Sequence, residues 1–302
     1  MLFTHQTGIT AKASRDAIFV TLNVNPGRHK QVRQSLKQLP EIISIMQEKF
    51  NDADLHATIA IGSEYWSQLS SQRPKLLTGF IEIDEQQAPS TPVDLALHIR
   101  SNRKDITYLL TQEIYSSLKS DTSLIDEVAC FKYLDNRDLT GFVDGTENPT
   151  GENRADVALI GEEDTDFIGG SYLHLQKFIH NLDKWKTITQ QNQEDIIGRT
   201  KEDNIEYASN KKSLHAHTKR ASIKDEQGVS LEILRQSMPF ASLQESGLMF
   251  ASYCKTPNNF NLMLKSMIIG DQEGNTDHLM RYTQAVTGQA FFVPNIEWFH
   301  QL

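Results

Sequence analysis

With 302 residues the chain is long for one hydrophobic core, so two domains are the expected division. Apolar residues make up 38% and charged residues 23%, which excludes a disordered or fibrous chain, and a formal net charge of −9 weighs against a reader of nucleic acid. Met1 to Arg15 has no basic head leading into an apolar run and no paired arginines, and no uncharged apolar run reaches transmembrane length. A soluble, cytoplasmic protein without membrane contact is therefore expected.

In chain order, Asp16–Val24 alternates and is rich in branched and aromatic residues, which predicts a strand. Pro26-Gly27 turns it into a helix over about His29–Phe50, with Val32, Leu36, Ile43 and Met46 near helical spacing. Strands are predicted over Leu55–Gly62, Val93–Arg100 and Ile125–Leu134, with a helix over about Lys104–Leu118. The order β-α-β-β-α-β is a split βαβ, the ferredoxin-like arrangement. The second half repeats the plan with insertions. A strand is predicted over Gly169–Ile179, helices over Leu182–Gln190 and Gln193–Ile197, and a polar loop from Glu202 to Lys224 of the kind that serves a site. Strands over Gly228–Ser237 and Gly247–Cys254, a helix from Pro257 to Ile269, a short helix over Asp277–Tyr282 and a strand over Gly288–Val293 complete it. The predicted class is α+β, two ferredoxin-like domains with antiparallel sheets, spanning 1–135 and 136–302. Cys130 and Cys254 lie in strand-like apolar segments and read as buried small hydrophobes.

Between the halves lies Gly141-Phe142-Val143-Asp144-Gly145-Thr146-Glu147-Asn148-Pro149. Glycines on both sides of Asp144 let the backbone approach a ligand closely, and Pro149 bars a helix there. The carboxylate reads as a placed group, against the plain alternative of an Asx turn or helix cap. Asn136–Glu147 matches a calcium loop only in part, because Asn136 stands where an acid is expected. His215 and His217 stand out among ten histidines by lying in the polar loop near Lys219 and Arg220; either is a solvated histidine or a ligand to a metal or haem iron. Arg235 shares a strand face with Leu231 and Ile233, which is costly unless it meets an anion, either a structural carboxylate or a ligand. Arg199 carries the same ambiguity.

Together with Gly198-Arg199-Thr200-Lys201, His217-Thr-Lys-Arg220, Leu234-Arg235-Gln-Ser237 and Asp277 followed by Arg281-Tyr-Thr-Gln-Ala-Val-Thr-Gly288, this segment resembles the dye-decolorising peroxidases, in their shorter bacterial branch. The resemblance implies a haem b peroxidase, with one haem per chain in the C-terminal domain. It would reduce hydrogen peroxide through a ferryl intermediate and oxidise aromatic, dye-like or porphyrin donors. It implies His217 as the iron ligand, with His215 as the fallback, and Asp277 as its carboxylate partner. Asp144 would be the acid–base group and Arg235 the charge stabiliser, with Ser237 lining the pocket. Arg199 would pair a haem propionate, and Gly145, Thr146, Glu147 and Asn148 would pass the haem edge. Trp185 and Trp298 read as core packing. A homo-oligomer is a family-level expectation, and the chain's end at Leu302 suggests a member that is not shell cargo. The competing readings are a haem or porphyrin binding protein for trafficking or iron release, and a ferredoxin-like module without cofactor.

Overall fold

A computed structural model describes residues 4–302, so Met1–Phe3 of the leading stretch lie outside the described residues. Among the described residues ten strands form one sheet: β1 Asp16–Val24, β2 His56–Gly62, β3 Leu95–Ser101, β4 Thr122–Phe131, β5 Ser171–His180, β6 Leu234–Arg235, β7 Met238–Ala241, β8 Ser246–Cys254, β9 Thr283–Ala285 and β10 Gln289–Val293. Their order is β4-β1-β3-β2-β10-β5-β8-β6, with β7 on β8 and β9 on β5, and every pairing is antiparallel. The first four strands are arranged fourth, first, third, second. The later run β10-β5-β8-β6 repeats that arrangement, so each half has the ferredoxin-like plan expected from the alternation of its strands.

Helices cover the sheet because their apolar stripes require it. In His29–Lys49 the residues Val32, Leu36, Leu39, Ile43 and Met46 are buried, and in Lys104–Leu118 so are Ile106, Leu110, Ile114 and Leu118. Both stripes pack into one core that also receives Phe167, Tyr172, Phe292 and Phe299 from the later half. The halves meet where β10 pairs β2, through Phe291↔Gly62 and Phe292↔Ile61. Phe292 is fully buried there, edge-on to Trp66, Phe167 and Tyr172. Trp298, on the last helix Ile296–Gln301, stacks on Trp66 at 4.8 Å. Cys130 and Cys254 are free and buried, and burial pushes the Cys254 thiol up to about 11. Among the described residues no helix is long and apolar enough to cross a membrane.

One predicted strand is much shorter than expected. Of Gly228–Ser237 only Leu234–Arg235 pairs with β8, because Asp225–Gly228 closes a tight turn and Asn148 occupies the backbone of Arg235. The Asn148 amide nitrogen donates to the Arg235 carbonyl and its oxygen accepts from the Arg235 amide, each at 2.8 Å. The polar loop contains a short helix, His217–Ala221, and the predicted Asp277–Tyr282 helix is a 3₁₀ turn over His278–Arg281. The short helices Thr7–Thr10, Trp66–Leu69, Asn153–Ala158 and Ile296–Gln301 carry too few turns for a periodic signal. Phe292→Ala should cost about 3–5 kcal/mol of stability, as for other buried phenylalanines. Urea unfolding followed by tryptophan fluorescence would show this as a lower midpoint.

Candidate active site

The later half encloses an apolar cavity of about 170 Å³. One wall is the sheet face carrying Gln176, Phe178, Leu248 and Phe250. Another is the helix Pro257–Ile268, whose Phe260, Met263, Leu264 and neighbouring Met267 fall on one side by 3–4 residue spacing. Asp144, His217 and Arg235, which lie 91 or fewer positions apart in a chain of 302, all line this space.

His217 opens its short helix, and its Nδ1 donates to Asp277 Oδ2 at 2.7 Å. A carboxylate only accepts, so the proton sits on Nδ1 and the Nε2 lone pair is left free. Among the described residues Nε2 has no hydrogen-bond partner, and a third of the side chain is accessible while Asp277 is fully buried. Burial alone would depress the imidazole pKa, but the Asp277 charge and hydrogen bond outweigh it and the net shift is upward. Asp277 is itself fixed as the cap of the 3₁₀ turn, where Oδ1 accepts from the Leu279 amide at 2.9 Å. His215, by contrast, donates from Nδ1 to the Thr276 carbonyl and stacks on His278 at 4.0 Å, away from the cavity.

The turn that carries Asp144 is held by backbone. The Asp144 amide donates to the Asn136 carbonyl at 2.9 Å, and its Oδ1 accepts from the Gly145 amide at 2.7 Å. Gly145 takes a φ of +73°, the left-handed region, and a side chain there would press on Asn148. Burial raises the Asp144 pKa, the nearby Asp138 charge raises it further, and the Gly145 amide, Arg235 and His217 only partly offset both. Arg235 is shifted down by burial, with Asp144 and Glu147 opposing. It forms no ion pair among the described residues, and Nη2 has only the Met263 Sδ, at 3.8 Å. A cation without a counter-ion beside a carboxylate of raised pKa is suited to a reaction in which a proton moves and negative charge develops.

The other expected residues lie further out. Asp144 and Arg235 also border a second cleft, lined by Gly145, Thr146, Asn148 and Ser237. The Ser237 hydroxyl accepts from the Ala251 amide at 3.2 Å, completing the ladder between β6 and β7. Arg199 lies outside the cavity, two residues from the cavity-lining Ile197, and pairs Glu147 and Glu206, each at 3.1 Å. Trp185 is buried and donates to the Thr140 carbonyl at 2.9 Å. Sequence reasoning missed Asp138, whose Oδ1 accepts from His180 Nε2 at 3.0 Å, and Gln176, a polar position on the apolar face of β5. Period-two reading of Tyr172, His174, Gln176 and Phe178 carries that second signal.

A haem fits this donor set: an imidazole with its outer nitrogen free, an apolar enclosure, and a buried Gln176 Nε2 that has no partner among the described residues. Residues 6–132 match the family model described as Dyp-type peroxidase, N-terminal, and residues 135–298 match Dyp-type peroxidase, C-terminal. A dye-decolorizing peroxidase of Mycolicibacterium paratuberculosis is 39% identical, over 96% of this chain and 83% of the relative. The encapsulated DyP-type peroxidase from Mycobacterium smegmatis superposes with a TM-score of 0.95 at 35% identity, covering 99% of this chain and 98% of the other. A variant of DypB from Rhodococcus jostii RHA1, in complex with heme, gives 0.93 at 36%, with 97% of each chain covered. Two ferredoxin-like halves, the later one enclosing a histidine-bearing apolar cavity, define a haem-protein class. Within it, the chain belongs to the Dyp-type peroxidase family.

Proposed function

We propose that the chain is a haem b peroxidase that reduces hydrogen peroxide at the cavity of Asp144, Arg235 and His217, drawing electrons from aromatic, dye-like or porphyrin donors. The observation that carries the assignment is the His217–Asp277 hydrogen bond, which leaves Nε2 free beside an apolar space. In this reading one haem per chain binds in the segment 136–302, next to a segment 1–135 of the same strand order. The bound haem supplies the iron and the conjugated ring that take up the oxidising equivalents of peroxide. His217 ligates the iron, and Asp277 makes the imidazole more basic and fixes its orientation.

Asp144 takes the proton of the approaching peroxide and returns it to the oxygen that departs, while Arg235 offsets the negative charge that develops on that oxygen. The raised pKa of Asp144 brings the proton exchange closer to balance than an ordinary carboxylate would. Asn148 holds the Arg235 backbone by both its N–H and its C=O and so sets where the guanidinium enters. Ser237, just after β6, ties that strand to β8 by accepting from the Ala251 amide. Arg199, held by Glu147 and Glu206, is the cation assigned to a haem propionate, with Gly145 and Thr146 on the turn that carries Glu147. The homo-oligomer in this reading rests on the family resemblance. A carrier of haem or porphyrin has no need of an acid–base group next to an uncompensated guanidinium, which disfavours that alternative.

Reconstitution tests the assignment directly. The wild-type protein should bind haem with a Soret band, and His217→Ala should lose it; unchanged binding would refute His217 as ligand. The peroxide reaction, followed by stopped flow, should speed up as pH rises through the raised Asp144 pKa, because the carboxylate must be ionised to accept the proton. Asp144→Asn should slow the reaction by about 10²–10⁴-fold and abolish that limb. Asp138→Asn removes a charge that raises the Asp144 pKa, so the limb should move to lower pH. A limb that stays in place in both variants would assign it to another group.

A further inference from the structure

Arg235 brings a positive charge to the cavity, and the one side-chain acceptor it has among the described residues is a thioether. Met263 Sδ lies 3.8 Å from Nη2. Met263 is 5% exposed and lines the cavity from the helix Pro257–Ile268. A thioether sulfur accepts hydrogen bonds weakly, whereas a sulfoxide is polar and presents an oxygen that accepts them well. That oxygen, bonded to Sδ, would sit between the sulfur and the guanidinium.

We propose that Met263 is a peroxide-driven modification site: hydrogen peroxide admitted to the cavity oxidises Sδ to the sulfoxide, whose oxygen then engages the Arg235 guanidinium and damps turnover. The inference rests on the peroxidase reading only in that peroxide is delivered beside Arg235. The sulfur lone pair attacks one peroxide oxygen, an S–O bond forms and the O–O bond breaks. The proton on the transferred oxygen passes to the departing hydroxide, giving water. Sulfur loses two electrons and peroxide gains them. Arg235, placed to offset negative charge on a departing oxygen, assists this reaction as it assists the peroxidase step. Afterwards the guanidinium has a strong neutral acceptor in place of a free approach to peroxide. Reduction of the sulfoxide restores the thioether.

Exposure alone predicts a different order. Met267 and Met280 line the same cavity and are less buried than Met263, yet neither sulfur has a hydrogen-bond donor against it among the described residues. If exposure governed oxidation, they would react first. If the Arg235 contact governs it, Met263 reacts first.

The test treats the haem-loaded protein with excess hydrogen peroxide in the absence of reductant. Peptide mass spectrometry then follows addition of one oxygen at Met263, Met267 and Met280, beside the remaining turnover relative to each protein's own starting rate. The expected result is oxygen at Met263 ahead of the other two, in a fraction that tracks the activity lost. Methionine sulfoxide reductase should return both together. Met263→Leu, a swap of similar volume, should lose activity several-fold more slowly per equivalent of peroxide. Activity loss with Met263 unmodified, oxidation of Met267 or Met280 first, or a Met263→Leu protein that fades as fast as wild type would each overturn the proposal. A wild-type protein without peroxide turnover would instead refute the peroxidase reading, and the order of oxygen addition in its mass spectrum would still decide the present one.

Discussion

The hydrogen bond between His217 and Asp277 is the contact on which the meaning of the site depends. It joins positions 60 residues apart at 2.7 Å, and Asp277 is fixed by further contacts of its own. The Asp277 amide donates to the Met267 carbonyl at 2.8 Å and its Oδ1 caps the following turn, so one carboxylate oxygen is left for His217. The flanking residues repeat the tie. His215 donates to the Thr276 carbonyl, the His278 amide donates to the His215 carbonyl, and Arg220 bonds both Asp271 and the Asn275 carbonyl. A short helix in a polar loop is thereby held by its neighbour's turn, and little of its stability is intrinsic.

Asp144 and Arg235, which line the same cavity as His217, are held by the opposite strategy. Asp144 and Arg235 are placed by main chain, through Asn136, Gly145 and Asn148, so the reactive side chains are left free of strong mutual pairing. That matters because a tight Asp–Arg ion pair would lower the carboxylate pKa and occupy the guanidinium. The structure instead shows a raised carboxylate and a cation whose nearest side-chain acceptor is a sulfur. The sheet makes this arrangement rigid: Arg235 lies in register with Ser252 of β8, and β8 pairs along its length with β5.

The longer strands were legible because their alternation is regular, and the two long helices because Val32, Leu36, Ile43 and Met46, or Ile106, Leu110 and Ile114, repeat over several turns; β7 and β9, too short to alternate, were not. The shortness of β6 was not legible, since it follows from a long-range contact with Asn148 that no local pattern encodes. Asp144 and Arg235 announced themselves through glycine punctuation and a misplaced charge, but the choice of His217 over His215 and the partnership with Asp277 came from resemblance. Local chemistry treats the two histidines alike; only the fold turns one to the cavity and the other to His278. The pairing of Arg199 with Glu147 and Glu206 was equally invisible, because it joins positions that no local pattern relates.

The resonance Raman spectrum of the haem-loaded ferrous protein tests the central claim most directly. The account predicts an iron–histidine stretching band that disappears in His217→Ala and moves to lower frequency in Asp277→Asn, as the imidazole loses the carboxylate that makes it more basic. A band that persists without His217, or one that does not move when Asp277 loses its charge, would contradict it.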